Sequence, residues 1–133
     1  MNIYYCDGST YKNGREGQDS SCLVLCPDGE IIRKYLGDCT INEAELSAVE
    51  VAVERARSGD CIYTDSQIVY NWIMAWKDTK TNTHVKHRVA SLVPYARAKN
   101  LSLVWIRRDE NLAGLEIENN PFYTPYFKAH RPL

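Results

Sequence analysis

Long apolar runs are missing from this 133-residue chain. Its longest, such as Leu101 to Ile106, fall far short of the roughly 20 apolar residues that a membrane-crossing helix needs. A secretory leader is missing too, because Asn2-Ile3-Tyr4-Tyr5-Cys6 runs into Asp7 with no basic start. The chain therefore reads as a cytoplasmic protein, with no membrane as partner. No internal repeat, low-complexity segment or linker divides it, and its length suits one domain over residues 1–133, with a proline-rich tail over 121–133. Zinc-type cysteine spacing is also absent: Cys6, Cys22, Cys26, Cys39 and Cys61 match no common pattern. Cys22 and Cys26 share strand parity, and free, partly buried thiols are expected rather than a disulfide framework. A strong net charge is absent as well, yet the value of −1 hides an asymmetry. Acids outnumber bases up to Gln67, whereas Lys77 to Arg108 holds eight bases against Asp78 alone. Such a basic stretch suits a polyanion, or forms a solvated helix face.

What is present is a regular alternation of elements. Asn2 to Cys6 predicts a strand, followed by a polar turn over Gly8 to Gly17. Ser21 to Cys26 and Ile31 to Leu36 flank Pro27-Asp28-Gly29, a strong turn signal, so the first three strands predict an antiparallel meander. Thr40-Ile41-Asn42-Glu43 is a capping-box pattern before a helix reaching about Ser58, with Gly59 as its stop. A strand over Cys61 to Thr64, helices from Ser66 to about Trp76 and from Val85 to Lys99, a strand over Leu101 to Ile106 and a helix from Asn111 to about Glu118 complete the order. This pattern predicts an α/β fold, a five-stranded mixed sheet with helices on both faces.

Acidic residues stand at the predicted junctions: Asp7, Glu45, Asp65 and Glu118. Glu45 shares a helix face with Val49, Ala52 and Ala56 rather than with the exposed glutamates, an odd position for an idle carboxylate. If the first and fourth strands are parallel neighbours, Asp7 and Asp65 emerge at one sheet edge, and the first turn of the long helix brings Glu45 there. Carboxylates so crowded call for divalent cations, and such a cage suits metal-assisted attack of water on a phosphodiester.

Asp7-Gly8-Ser9 after the first strand, Thr40-x-Asn42-x-x-Glu45-Leu46 opening the first helix and Tyr63-Thr64-Asp65-Ser66-Gln67 together resemble type 1 ribonuclease H over nearly the whole chain. The resemblance implies an endonuclease that cuts the RNA strand of RNA–DNA hybrids with two Mg²⁺ or Mn²⁺ ions, leaving 5′-phosphate and 3′-hydroxyl ends. It implies metal ligation by Asp7, Glu45 and Asp65. It also implies contacts with the hybrid from Gly8, Ser9, Asn13, Asn42, Ser66 and Gln67, and a DNA-phosphate contact from Thr40. A monomer is expected. Asn42 and Gln67 have a second reading, as caps of their helices.

The pattern departs from the family near the end. Where an Arg-x-x-Asn-x-x-Ala-Asp stretch is usual, the chain reads Arg108-Asp109-Glu110-Asn111-Leu112-Ala113-Gly114-Leu115, which puts Leu115 or Gly114 at the place of the fourth acid. Glu118, one helical turn beyond Leu115, is the preferred substitute and Glu116 the alternative. The loop before this helix lacks the histidine many type 1 enzymes carry; His130 lies in the tail, and His84 and His87 read as surface residues. The basic protrusion of some members is missing too. These departures keep two further readings open: a catalytically weakened hybrid-binding module, and a metal-dependent nuclease of the same fold acting on another nucleic acid.

Overall fold

Strand register places the first two carboxylates. In the computed structural model, which describes residues 1–12 and 18–119, β1 (Ile3–Lys12) pairs in parallel with β4 (Cys61–Thr64), from Ile3↔Cys61 to Cys6↔Thr64. Asp7 and Asp65 are the next residues along each strand, so both leave the pairing at the same level. β4 pairs in parallel with β5 (Ser102–Trp105), while β1 pairs antiparallel with β2 (Gln18–Leu25), and β2 with β3 (Ile31–Gly37). The sheet order is β3-β2-β1-β4-β5, the mixed five-stranded architecture that the element order predicts.

Alternation along the strands divides the core. Tyr4, Cys6, Cys22, Val24 and Ile62 face helices α1 (Ile41–Arg55), α2 (Gln67–Met74) and α3 (Thr83–Ala98), and pack with Leu46, Val49, Val53, Val89 and Val93. Tyr5, Leu23 and Leu25 face the opposite side, where α4 (Leu112–Asn119) inserts Ala113 and Ile117. Each fully buried leucine or valine of these clusters contributes about 1.5–3 kcal/mol through removal from water. The cysteines are free; Cys6, Cys22, Cys26 and Cys61 are buried, as expected of small core residues. Among the described residues no helix is long and apolar enough to cross a membrane.

Among the boundaries that differ from the sequence expectation, two have a clear tertiary reason. β1 does not stop at Cys6: the predicted turn residues Gly8 to Lys12 continue the ladder against β2. Ser9 Oγ and Ser21 Oγ lie 2.9 Å apart and Ser20 Oγ donates to Thr10 Oγ1, which holds small polar residues in a strand that propensity disfavours. α1 ends at Arg55 rather than near Ser58, because the Lys99 ammonium donates to the carbonyls of Val53, Glu54 and Ala56 at 2.8–3.0 Å. α2 ends at Met74 rather than near Trp76. At the other end of α1, Thr40 and Glu43 form the predicted capping box. Asn13, His130 and the proline-rich tail lie outside the described residues.

Candidate active site

Asp7 and Asp65 share strand parity with Tyr5 and Tyr63, whose rings meet edge to face at 5.3 Å. Both carboxylates therefore project toward the α4 side of the sheet, beyond the β1–β4 pairing. Glu45 comes from the other layer, and Gly8 makes that possible. A Cβ at Gly8 would stand 2.6 Å from Glu45 N and 2.7 Å from the carbonyl carbon of Ala44. Only a residue without a side chain lets the first turn of α1 rest directly on β1. Gly8, expected from the resemblance to touch substrate, is thus buried beneath α1. Carboxylate oxygens of Asp7, Glu45 and Asp65 all lie within 4.8 Å of one another.

The crowding shows in their protonation. Burial is the main cause that lifts Asp7 from its ordinary 3.8 to about 6; its hydrogen bond with Glu45 pulls it down, Asp65 pushes it up, and the Gly8 amide and Arg108 lower it. Burial also raises Glu45 well above the usual carboxylate range, reinforced by the charge of Asp7, their mutual hydrogen bond and the charge of Asp65. Glu45 Oε2 is buried with no hydrogen-bond partner among the described residues. A hard divalent cation satisfies this donor set: oxygen ligands, excess negative charge and an unsatisfied buried oxygen. Cys26, Asp28 and Glu30 also converge, but Glu30 pairs with Arg55 and Asp28 accepts from the Glu30 amide.

Asn111 holds the arrangement together and was visible in the sequence only as a landmark of the terminal stretch. Fully buried, it donates from Nδ2 to the Cys6 carbonyl at 2.8 Å and to Asp65 Oδ2 at 3.1 Å, while Oδ1 accepts from the Ala113 amide at the start of α4. Trp105, half exposed at the end of β5, donates from Nε1 to the Asp65 carbonyl.

The terminal helix separates the two candidate glutamates. Glu116 faces β3 and pairs with Arg33 at 2.9 Å. Gly114, not Leu115, faces the carboxylates: a Cβ there would stand 2.9 Å from Asp7 Oδ2. Glu118, one turn beyond Gly114, lines a cleft of about 350 Å³ with Asp7, Gly8, Ser9, Thr10 and Arg108. It is exposed and stands outside the tight three-carboxylate group. The remaining expected residues border this region. Thr40 is engaged in its capping box, and Ser66 caps α2 by accepting from Val69 N. Because those residues are the caps, Asn42 and Gln67 are not, and among the described residues neither side chain has a hydrogen-bond partner. His84 is exposed and pairs with Glu43.

A family model for RNase H matches residues 1–130. The chain belongs to the RNase H family. That membership supports a nuclease. Solved structures give the RNase H fold independently. LC11-RNase H1, captured with an RNA/DNA hybrid, is 20% identical with a TM-score of 0.66 over 84% of this chain and 89% of that one. The foamy viral protease-reverse transcriptase, captured with double-stranded DNA, is 18% identical with a TM-score of 0.74 over 92% of this chain and 95% of that one.

Proposed function

We propose that this RNase H domain is an endonuclease that hydrolyses the RNA strand of RNA–DNA hybrids, leaving 5′-phosphate and 3′-hydroxyl ends. The observation that carries the proposal is the convergence of Asp7, Glu45 and Asp65 within 4.8 Å on a domain of this family. These three residues, with Glu118 from the cleft wall as the fourth, would hold two Mg²⁺ or Mn²⁺ ions. When bound, the ions supply an activated water and charge compensation for the leaving 3′ oxygen. Asn111 donates to Asp65 Oδ2, which restrains that carboxylate and leaves its other oxygen for a cation. Burial raises the pKa of Asp7 and Glu45, so a bound cation would displace a proton there and bind more tightly as pH rises. Ser9, Asn42, Ser66 and Gln67 offer donors and acceptors for 2′-hydroxyls and base edges, which suffices to recognise an RNA strand without reading sequence. The resemblance also assigns hybrid contacts to Gly8 and Asn13, and a phosphate of the DNA strand to Thr40.

Gly114 favours a second reading, in which the domain binds hybrid but cuts it weakly. The Cα that faces Asp7 carries no carboxylate, and Glu118 must reach from a turn away. One experiment separates the two: incubate end-labelled hybrid, duplex DNA, duplex RNA and single strands with Mg²⁺, Mn²⁺ or EDTA. Metal-dependent cleavage of the hybrid's RNA strand supports the nuclease. Retained hybrid binding with no cleavage selects the binding module, and cleavage of another substrate in preference to hybrid removes the substrate assignment.

A further inference from the structure

One line of side chains crosses the whole sheet on the α4 side. Ile31 pairs with Leu25, Leu25 with Tyr5, Tyr5 with Tyr63 and Tyr63 with Val104, so each strand contributes one residue in register. All five are apolar or aromatic, and none is fully buried. Ile31 is 39% and Val104 37% exposed, and Leu25, Tyr5 and Tyr63 are half-buried. On the opposite face the neighbouring residues Val24 and Ile62 are buried in the core that the longer helices cover. α4 is only eight residues long, and Ala113 and Ile117 reach the line at Tyr5 and Leu25. Both ends of the line therefore keep apolar surface in water, which a further covering segment would remove.

The chain itself supplies such a segment. α4 passes beside β3, where Glu116 pairs with Arg33, and Arg33 shares a face with Ile31 at one end of the line. Beyond α4 come residues 120–133, outside the described part of the structure. They hold both phenylalanines of the protein, Phe122 and Phe127, together with Tyr123 and Tyr126. Prolines at 121, 125 and 132 lack the N–H that helix or strand pairing uses, so burying the rings is the main gain open to this segment. The dimensions agree. Four strand spacings make the line about 19 Å long, and Phe122 and Phe127 in extended chain stand about 17 Å apart. We infer that residues 121–127 lie across this line, with Phe122 over Ile31 and Leu25 and Phe127 over Tyr63 and Val104, and so clamp α4 against the sheet. The inference is independent of the hydrolysis proposed above, because it concerns a covered surface and not the carboxylates.

The test labels phenylalanine selectively in the intact chain, so that every labelled ring belongs to this segment. Nuclear Overhauser contacts are expected from Phe122 to the Ile31 and Leu25 methyls, and from Phe127 to the Val104 methyls. Isotope-filtered spectra of mixed labelled and unlabelled chains separate contacts within one chain from contacts with a second copy. Rings at random-coil positions without methyl contacts overturn the inference, as do contacts to methyls off the line or contacts made only between chains. Hydrogen exchange reads the clamp separately. Phe122→Ser combined with Phe127→Ser is expected to speed exchange of the α4 amides by about 10-fold or more and to leave those of α3 within about 2-fold, since α4 alone loses its outer support. Equal acceleration in both helices, or none in α4, overturns the clamp.

Discussion

Replacing Asp7 with asparagine should make the metal-free protein more stable at neutral pH. Raising the Asp7 pKa from 3.8 to about 6 corresponds to about 3 kcal/mol at 1.36 kcal/mol per pH unit. Coulomb repulsion gives a similar figure, since two unit charges at the 4.8 Å limit of the cluster cost about 3.5 kcal/mol at an effective dielectric of 20. The proton shared by Asp7 and Glu45 relieves part of this, so a gain of about 1–3 kcal/mol is expected. For a chain of this length that is roughly 4–12 °C in melting temperature. The sign follows from the direction of the shift: an acid with a raised folded-state pKa costs nothing below its unfolded value. The cost grows as pH rises from about 4 through about 6 and is full above that. Asparagine keeps the hydrogen bond to Glu45 without the charge. The measurement is thermal unfolding of wild type and Asp7→Asn in EDTA between pH 4 and 8, repeated with Mn²⁺. The variant's advantage should appear above pH 6, fade toward pH 4, and shrink or reverse when Mn²⁺ binds wild type preferentially. An advantage of equal size at pH 4.5 and 7.5, or none at either, would refute the claim that ionising Asp7 in this buried, crowded site is costly.

Three further outcomes are expected. Asn111→Ala leaves the Cys6 carbonyl, Asp65 and the first turn of α4 without their partner, which should cost about 2–4 kcal/mol in urea unfolding and also weaken Mn²⁺ binding by calorimetry. Gly8→Ala forces a methyl against the α1 backbone, so a loss of about 3 kcal/mol or more is expected, with impaired metal binding in whatever folds. Glu118→Gln should lower hybrid cleavage more than Glu116→Gln, whose loss is a part-buried ion pair to Arg33 and falls on stability rather than on cleavage; the opposite ranking would move the fourth ligand to Glu116.

Local signals were legible where one segment decides its own shape. Thr40 and Glu43 announced the start of α1, Pro27-Asp28-Gly29 the turn between β2 and β3, and the odd placement of Glu45 its burial beside Asp7. Legibility failed where a distant partner overrides local preference. Gly8-Ser9-Thr10 reads as a turn in isolation but is drawn into β1 by paired serines on β2. The end of α1 was set by a lysine more than forty residues away in sequence. The fourth carboxylate was ambiguous because spacing from Asn111 indicates Leu115 whereas the helix turns Gly114 toward Asp7. Arg108 was set apart from Arg107 by its place in the Arg-x-x-Asn-x-x-Ala-Asp stretch, and the fold adds that it lines the cleft while Arg107 pairs within its own loop.

Asn111 joins three places at once: β1 through the Cys6 carbonyl, the end of β4 through Asp65, and α4 through its first amide. A single amide group therefore fastens the last helix to the acidic site, so that loosening α4 necessarily unbolts Asp65. Whatever grips or releases that helix from outside holds a lever on the chemistry at the sheet edge, with no need to enter the cleft.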